Sequence, residues 1–211
     1  NFMTLDKNVV TVSDTALTVM NSSANQSINR QHSFNSPVLQ ATSGKYLIYN
    51  LGGNGFKIEG SSDTIYSGNT SNNIIAGDIA GSGRYALVTE TQGYPSSLSV
   101  YLTDNTVQYK YDFSEYYVTD ISLNSDGTRA AVSGITAKDG GIVSAVYIFD
   151  FSNPEPISIL TYNEVLMEKV EYMDNGTVAA IGDTTTSMIN GTTGEKVDYN
   201  YQSRQMTDYA I

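Results

Sequence analysis

The 211-residue chain contains no cysteine and a single histidine, His32. The absence of cysteine excludes a disulfide framework, a thiol nucleophile and a thiolate metal site. One histidine is too few for a zinc site built from His and Cys, and a Ser-His-Asp relay would have to pass through His32. Its neighbours, Arg30, Gln31 and Ser33, indicate a polar edge strand without a nucleophile elbow, so we expect an ordinary surface histidine.

Basic residues are also scarce, since 11 Lys plus Arg stand against 22 Asp plus Glu, for a formal net charge of −11. Phosphate binding needs clustered Lys and Arg, so the sequence predicts no nucleic-acid partner. The excess of acid indicates a solvated surface. No stretch approaches the roughly 18 apolar residues of a membrane span, and no basic-then-apolar leader opens the chain.

The overall residue usage bears on where the protein works. The absence of cysteine and the low lysine content, with abundant Ser, Thr, Asn and Tyr, are common in exported proteins of Gram-positive bacteria. The chain begins at Asn1, and we expect any leader or anchor to have been removed or to lie outside this sequence. The prediction is an extracytoplasmic protein, either secreted or anchored through a segment that is not in this chain.

One hairpin phrase occurs several times along the chain. Its clearest copies are ISLNSDGTRAAV at residues 121–132 and VEYMDNGTVAAI at residues 170–181, and looser copies occupy 79–88 and 38–48. Asp-Gly and Asn-Gly form the turns of the clear copies, because glycine accepts the positive φ of tight hairpin turns. A supersecondary unit repeated at this length predicts stacked blades or coils.

Two further β-prone segments follow each copy of the hairpin. The repeat therefore predicts four antiparallel strands joined by short turns, which is the composition of a propeller blade. The turn glycines recur at intervals of about 40 to 50 residues, the length of known propeller repeats. Residues 164–173 also suit an amphipathic helix, but the register of the repeat favours a strand there.

The predicted fold is a single all-β propeller domain, residues 1–211, with about five four-stranded antiparallel blades. The approximate blades are residues 35–70, 71–115, 116–163, 164–204, and 1–34 together with 205–211. Residues 206–211 resemble the first strand at 118–123, so the C-terminus would donate the missing inner strand of the first blade and leave no open sheet edge. The alternative is a fragment of a larger propeller, cut within a blade at both ends.

The sequence LNSDGTRAAV at residues 123–132 resembles the Ser-Pro-Asp-Gly turn of WD-like and TolB-type propeller repeats. Together with GKYLIY at 44–49 and YIFDF at 147–151, it is similar to an uncharacterised family of bacterial propellers grouped with quinoprotein alcohol dehydrogenase-like folds. The resemblance covers about residues 36–201 and implies blade geometry. Quinoprotein dehydrogenases use Trp docking motifs, and many carry a vicinal Cys pair, whereas this chain has neither residue. The resemblance therefore argues against dehydrogenase chemistry.

Carboxylates are the available catalytic groups. The repeat aligns Asp78, Asp120 and Asp208 in the innermost strands, where Pro37 and Lys169 hold the corresponding places in the other repeats. If these carboxylates face the central channel, they could hold Ca²⁺ or act as the acid/base set of a glycoside hydrolase. The structural alternative is that each aspartate accepts hydrogen bonds from amides of the next blade and ties the two blades together. We expect the structural role, with no catalytic residue and no cofactor.

Tyrosine is the abundant aromatic residue, with 16 copies. Tyr109 and Tyr111 are two residues apart, so they share one face of an outer strand, where packing between blades is their expected use.

Tyr94, Tyr116 and Tyr117 are predicted to lie in loops, where exposed aromatic side chains favour binding. The sequence therefore predicts a non-catalytic extracytoplasmic binding module for a protein or a cell-surface glycan. The alternative is a carboxylate-dependent glycoside hydrolase with acids along the propeller channel.

Overall fold

The structure, a computed structural model, describes residues 2–5, 7–202 and 204. These residues form twenty strands and no helix, which confirms the predicted all-β class. In chain order the strands are β1 (Phe2–Leu5), β2 (Asn8–Val12), β3 (Ala16–Met20), β4 (Gln26–Gln31), β5 (Pro37–Thr42), β6 (Lys45–Asn50), β7 (Gly55–Gly60), β8 (Thr64–Asn69), β9 (Ile74–Ile79), β10 (Tyr85–Thr89), β11 (Ser96–Tyr101), β12 (Val107–Phe113), β13 (Tyr117–Leu123), β14 (Arg129–Lys138), β15 (Gly141–Asp150), β16 (Ser158–Asn163), β17 (Met167–Tyr172), β18 (Thr177–Gly182), β19 (Thr185–Asn190) and β20 (Lys196–Asn200).

Consecutive strands pair into five four-stranded antiparallel sheets, which we number first to fifth along the chain. The leading strands of neighbouring sheets contact one another, so they lie innermost and the fourth strand of each sheet lies outermost. This is the arrangement of blades in a β-propeller, as predicted. Residues 167–172 form the inner strand β17, in agreement with the register of the repeat rather than with a helix.

Because all inner strands run in the same direction, the connections separate into two ends. At the turn end are the connections from first to second and from third to fourth strands, including residues 80–84, 124–128 and 173–176. At the hairpin end are the connections from second to third strands and from each sheet to the next. These are residues 13–15, 32–36, 51–54, 70–73, 90–95, 114–116, 139–140, 164–166 and 183–184.

The repeated turns depend on glycine. Gly83, Gly127 and Gly176 have φ of 91°, 69° and 82°, a backbone conformation that favours glycine. At Gly127 a Cβ atom would lie 2.7 Å from Cβ of Arg84 in the preceding sheet. Glycine therefore serves two purposes at this position: it forms the turn, and it lets the turns of the third and fourth sheets lie close together.

The turn of the fourth sheet is one residue longer than those of the third and fifth sheets. Residues 80–84 separate the paired Ile79 and Tyr85, whereas residues 124–129 separate the paired Leu123 and Ala130. Successive residues of a strand face opposite sides of the sheet. Because of the extra residue, a β14 side chain at a given distance from the turn glycine faces the opposite neighbouring sheet from its counterpart on β10. Aligning the repeats on their glycines therefore misassigns the faces of this strand.

Each sheet packs its apolar face against the next one. Between the third and fourth sheets lies an aromatic seam, which we define as Tyr109, Tyr111, Phe113, Tyr116, Tyr147, Phe149 and Phe151. Neighbouring rings in it lie 5.1–6.2 Å apart, mostly edge to face or tilted. The predicted packing role of Tyr109 and Tyr111 is confirmed. Between the first and second sheets lies a smaller aliphatic seam, which includes Val10, Leu17, Ile28, Leu39 and Ile48.

Phe2–Leu5 form the innermost strand of the first sheet and pair with β2. This is the position that the sequence analysis assigned to a strand donated by residues 206–211. Residues 205–211 lie outside the described residues, so the place of that segment stays a prediction.

Candidate functional site

The inner strands enclose a cavity of about 530 Å³ that extends to the turn end. Its charged lining consists of Asp78, Lys169, Glu171 and Asp174. Met3 and Leu5 of the first sheet also line it, so it lies on the propeller axis. The cavity is the place where the sequence analysis expected carboxylates to gather.

Asp78 lies on β9 and is held by the next sheet. The backbone N–H of Leu123 donates a hydrogen bond of 2.7 Å to Asp78 Oδ2. Burial raises the pKa of the Asp78 carboxyl to about 7, although the Leu123 amide opposes the change by stabilising the anion. Glu171 and Asp120 add further repulsion, so Asp78 is partly protonated at neutral pH.

Asp120 lies on β13 and has a different set of partners. Its Oδ2 accepts a hydrogen bond of 3.0 Å from the Val170 N–H and lies 3.6 Å from Lys169 Nζ. Burial raises the pKa of Asp120, and Lys169 opposes this. Lys169 Nζ also lies 3.5 Å from Glu171 Oε2, and these carboxylates raise the pKa of Lys169 against the effect of its own burial.

The alignment of Asp78 with Asp120 is wrong by two residues. Asp78 pairs with Ala86, and the corresponding places in the next sheets are those of Ser122 and Glu171. Ser122 makes the matching contact, because its Oγ accepts the Tyr172 N–H at 3.0 Å.

Asp120 instead corresponds to Ala76 and Lys169, because each of the three belongs to the fourth residue pair counted from the turn between the first and second strands. Asp78 and Asp120 therefore lie at different heights along the axis. Asp208, the third predicted carboxylate, lies outside the described residues.

These contacts limit the chemistry of the axis. Asp78 lines the cavity, whereas Asp120 is absent from the lining and is engaged by Lys169 and the Val170 amide. Both aspartates join one sheet to the next, which is the structural role expected from the sequence. Within the described ranges, no group of three or more His, Cys, Asp or Glu side chains is arranged to hold a metal ion, so the suggested Ca²⁺ has no site among them.

The hairpin end carries a feature that the repeats do not share. Strands β14 and β15 have ten residues each, whereas the other described strands have four to seven. Their register continues past the start of β13, with Ala137 opposite Ile142 and Lys138 opposite Gly141. The tip of this long hairpin therefore projects beyond the sheet, and residues 137–140 are exposed.

The register places an apolar strip on one face of the long hairpin. Tyr117 pairs with Ile135, and Ala137 and Ile142 follow on the same face. Tyr117 is 62% exposed and Ile142 is 48% exposed. We call Tyr117, Ile135, Ala137 and Ile142 the hairpin strip. Of these residues only Tyr117 was predicted from the sequence, although the long gap between the Asp126-Gly127 and Asp139-Gly140 turns indicates an extended hairpin.

The three predicted binding tyrosines have different environments. Tyr94 is exposed in the connection 90–95, and Tyr117 is exposed as the first residue of β13 rather than in a loop. The Val118 N–H donates to Ser96 Oγ at 3.1 Å, which holds the segments bearing these two tyrosines side by side. Tyr116 is a correction: it is buried and its ring packs edge to face on Tyr147, because the connection folds back into the aromatic seam.

The expectation of a surface histidine is also wrong. His32 is 9% exposed, and its ring stacks on Phe34 at 5.1 Å. The Phe34 ring fits against Gly55 of the second sheet, where a Cβ would lie 2.7 Å away. Burial lowers the pKa of His32, and Lys57 lowers it further. The sequence does not indicate this burial, because the Phe34 ring that covers His32 lies against Gly55 of another sheet.

Solved structures with a similar fold include propellers. The chain matches the Dos1 propeller with a TM-score of 0.68 at 12% identity, over 94% of this chain and 57% of the other. It matches the WD40 domain of Neurospora crassa Pan2 with a TM-score of 0.64 at 9% identity, over 96% and 65%. It also matches hydrazine synthase of Kuenenia stuttgartiensis with a TM-score of 0.64 at 9% identity, over 92% and 63%. The chain thus spans less than two thirds of each, and at these identities the likeness shows the propeller fold alone.

No curated protein matches the chain. Within the part of the chain that the structure describes, no helix is long and apolar enough to cross a membrane. A family model does match, over residues 1–206, which is nearly the whole sequence. The chain belongs to the family of unknown function DUF5711.

Proposed function

We propose that this propeller is a non-catalytic binding module that holds a protein partner at its hairpin end. The observation that carries the proposal is the long hairpin, whose tip residues 137–140 are exposed and which presents Ile142 on the same face as Tyr117. A soluble fold has no stability reason to extend two strands into solvent with apolar side chains on one face. An interface supplies one, because aromatic and aliphatic anchors dominate binding energy once a partner buries them.

A protein partner suits this surface better than a glycan. The hairpin strip combines one tyrosine with aliphatic side chains, which pack well against another protein. Sugar binding relies on flat aromatic faces, and Tyr94 and Tyr117 are the candidates for it. The proposal includes an extracytoplasmic location in a Gram-positive bacterium and kinship with TolB-type and quinoprotein-like repeats, both supported by the composition and the repeat phrase.

One observation favours a second function, a glycoside hydrolase. The raised pKa of Asp78, about 7, suits a general acid, and Glu171 lines the same cavity. The absence of Asp120 from that lining weakens this candidate, because the predicted acid pair does not face one space. A panel of polysaccharides incubated with wild type and Asp78→Asn tests it: turnover that the variant loses would establish it, and no turnover by the wild type would exclude it.

The binding proposal is tested by paired variants of the fourth sheet. Tyr117→Ser/Ile142→Ser removes the exposed anchors, and Ile159→Ser is the control because Ile159 is 47% exposed on β16 of the same sheet. Cross-linking with mass spectrometry should identify a protein that the wild type and the control capture and the double variant loses. Equal capture by all three, or signals on a glycan array that depend on Tyr94 and Tyr117 instead, would contradict a protein partner at the strip.

A further inference from the structure

The two ends of the propeller differ in charge. The connections at the hairpin end carry five exposed acidic residues and no lysine or arginine. The exposed acids are Asp14, Glu90, Glu115, Asp139 and Glu164. The bases beside them are Lys138, at the end of β14, Arg204, after β20, and Lys57, whose Nζ donates to the Gln31 carbonyl at 2.8 Å. At the turn end the acids are interspersed with Lys7, Arg84, Arg129 and other bases, so this end has no comparable field of one sign.

Two of the acidic residues flank the tip of the long hairpin. Asp139 and Glu164 border a groove of about 350 Å³ together with Lys138, Ile142 and Asn163. The Glu164 N–H donates to the Ile142 carbonyl at 2.9 Å, which fixes the position of Glu164 beside the tip of the hairpin. In the described residues neither carboxylate belongs to an ion pair. Both are therefore available to a partner.

Glu164 occupies a backbone position that favours glycine. Its φ is 55°, and that of Asp139 is 52°. Aspartate tolerates this left-handed conformation, whereas glutamate has no local hydrogen bond to offset its cost. A glycine would be less strained at 164, so the chain retains a charged side chain beside the hairpin strip at a cost in backbone energy.

We propose that the partner segment received at the hairpin end is cationic and extended, with Lys or Arg side chains alternating with apolar ones. This inference rests on the proposed function and specifies its partner. The apolar side chains would pack on the hairpin strip, and the charged ones would reach Glu115, Asp139 and Glu164. Alternation suits an extended segment, since successive side chains point to opposite sides. Opposite charges across the interface accelerate encounter and select against acidic competitors.

The test uses a fluorescein-labelled alternating peptide, acetyl-(Lys-Val)₅-amide, with the (Glu-Val)₅ peptide as its counterpart. Fluorescence anisotropy of the intact chain should show binding of the first and none of the second. Binding should weaken several-fold between 50 and 300 mM NaCl, because salt screens charge pairs at a surface. Equal binding of both peptides, or binding insensitive to salt, would overturn the proposal.

Matched variants separate a local site from attraction to the net charge of −11. Glu115→Gln/Asp139→Asn/Glu164→Gln removes three acids at the hairpin end. The control, Asp63→Asn/Glu155→Gln/Glu195→Gln, removes three exposed acids at the turn end and changes the net charge equally. We expect an approximately tenfold loss of peptide affinity in the first and less than a twofold loss in the second. Equal losses would overturn the proposal in favour of non-specific attraction.

The proposed function and its cationic partner can fail separately. If the captured protein is lost by the Tyr117/Ile142 variant and retained by the triple hairpin-end variant, the binding module stands and the cationic segment is wrong. If the Tyr117/Ile142 variant retains every captured protein, the binding function itself is wrong at this surface. A shared far-ultraviolet circular dichroism spectrum and melting temperature confirms that each variant is folded.

Discussion

The aromatic seam and the aliphatic seam join neighbouring sheets by different means. In the aromatic seam seven large rings interlock between the third and fourth sheets, and Phe113 and Phe149 are completely buried. In the aliphatic seam branched side chains such as Leu17 and Ile48 fill the interior between the first and second sheets. The aromatic seam therefore buries more area per side chain and gains additional energy from ring geometry.

The polar margins of the two seams differ more than their interiors. At the aromatic seam the Leu123 amide donates to Asp78, and Tyr109 Oη donates to the Pro154 carbonyl at 2.7 Å. At the aliphatic seam Glu59 Oε1 is buried and has no hydrogen-bond partner among the described residues. Arg30 Nε lies 3.8 Å from Glu59 Oε2, too far for a hydrogen bond. An unpaired buried polar atom lowers stability, so the first sheet is attached less strongly than the fourth.

The largest effect should follow from a cavity in the aromatic seam. Phe149→Ala removes a fully buried ring that contacts four other aromatic rings, and we expect a loss of about 3–5 kcal/mol in the free energy of unfolding. Urea denaturation followed by circular dichroism measures it. Ile28→Ala in the aliphatic seam is the comparison, with an expected loss of about 2 kcal/mol. Equal losses would show that the two seams contribute alike.

The second effect is a pH dependence that belongs to the aromatic side. The pKa of Asp78 is raised to about 7 in the folded chain, above its ordinary value near 3.8. Between these values the unfolded chain is ionised and the folded one is not, so the stability from Asp78 is complete below pH 4 and is lost as pH rises to 7.

Asp78→Asn removes this titration and keeps an oxygen that accepts the Leu123 N–H. As pH rises from 4 to 7, the free energy of unfolding of the variant should increase relative to that of the wild type by up to about 1.4 kcal/mol per pH unit. Unfolding free energies of both proteins across this range measure the difference. A difference that is constant with pH would show that Asp78 titrates normally.

The same residues show what a sequence can predict. The hairpin phrase predicted the sheets because turn glycines and strand propensities act locally, and Gly127 and Gly176 lie where expected. Which side of the sheet each β14 side chain faces was not predictable in the same way. The extra residue before Ala130 moves the strand by one residue relative to the turn without altering its composition. A bulge at Thr119 has a similar effect on β13, where Val118 and Asp120 face consecutive partners on β14.

Site residues were harder still, because their environments come from distant parts of the chain. Asp78 was correctly placed on the axis, and its contact with the next sheet was foreseen. Its height along the axis relative to Asp120 was not predicted, because that height depends on the register of each inner strand. Tyr116 and His32 look like exposed residues in sequence, but Tyr147 and the Phe34–Gly55 contact cover them. Burial of this kind follows from packing between sheets, and no local pattern encodes it.

The smallest effect has the opposite sign and belongs to the aliphatic side. The pKa of His32 is lowered by burial and by Lys57, while a hydrogen bond with the Ser13 backbone, Asp14 and Glu59 oppose this. Below about pH 6.5 the unfolded chain binds a proton that the folded chain resists, so the stability contributed by neutral His32 is lost as pH falls. His32→Gln should remove the part of this stability loss that falls between pH 6.5 and 5. Amide hydrogen exchange should localise the change to β4 and its neighbours, since the first sheet opens separately if its seam is the weaker one. Uniform loss of protection across all five sheets at pH 5 would instead show that the two seams break together. The seams would then differ in their side chains but not in how strongly they join the sheets.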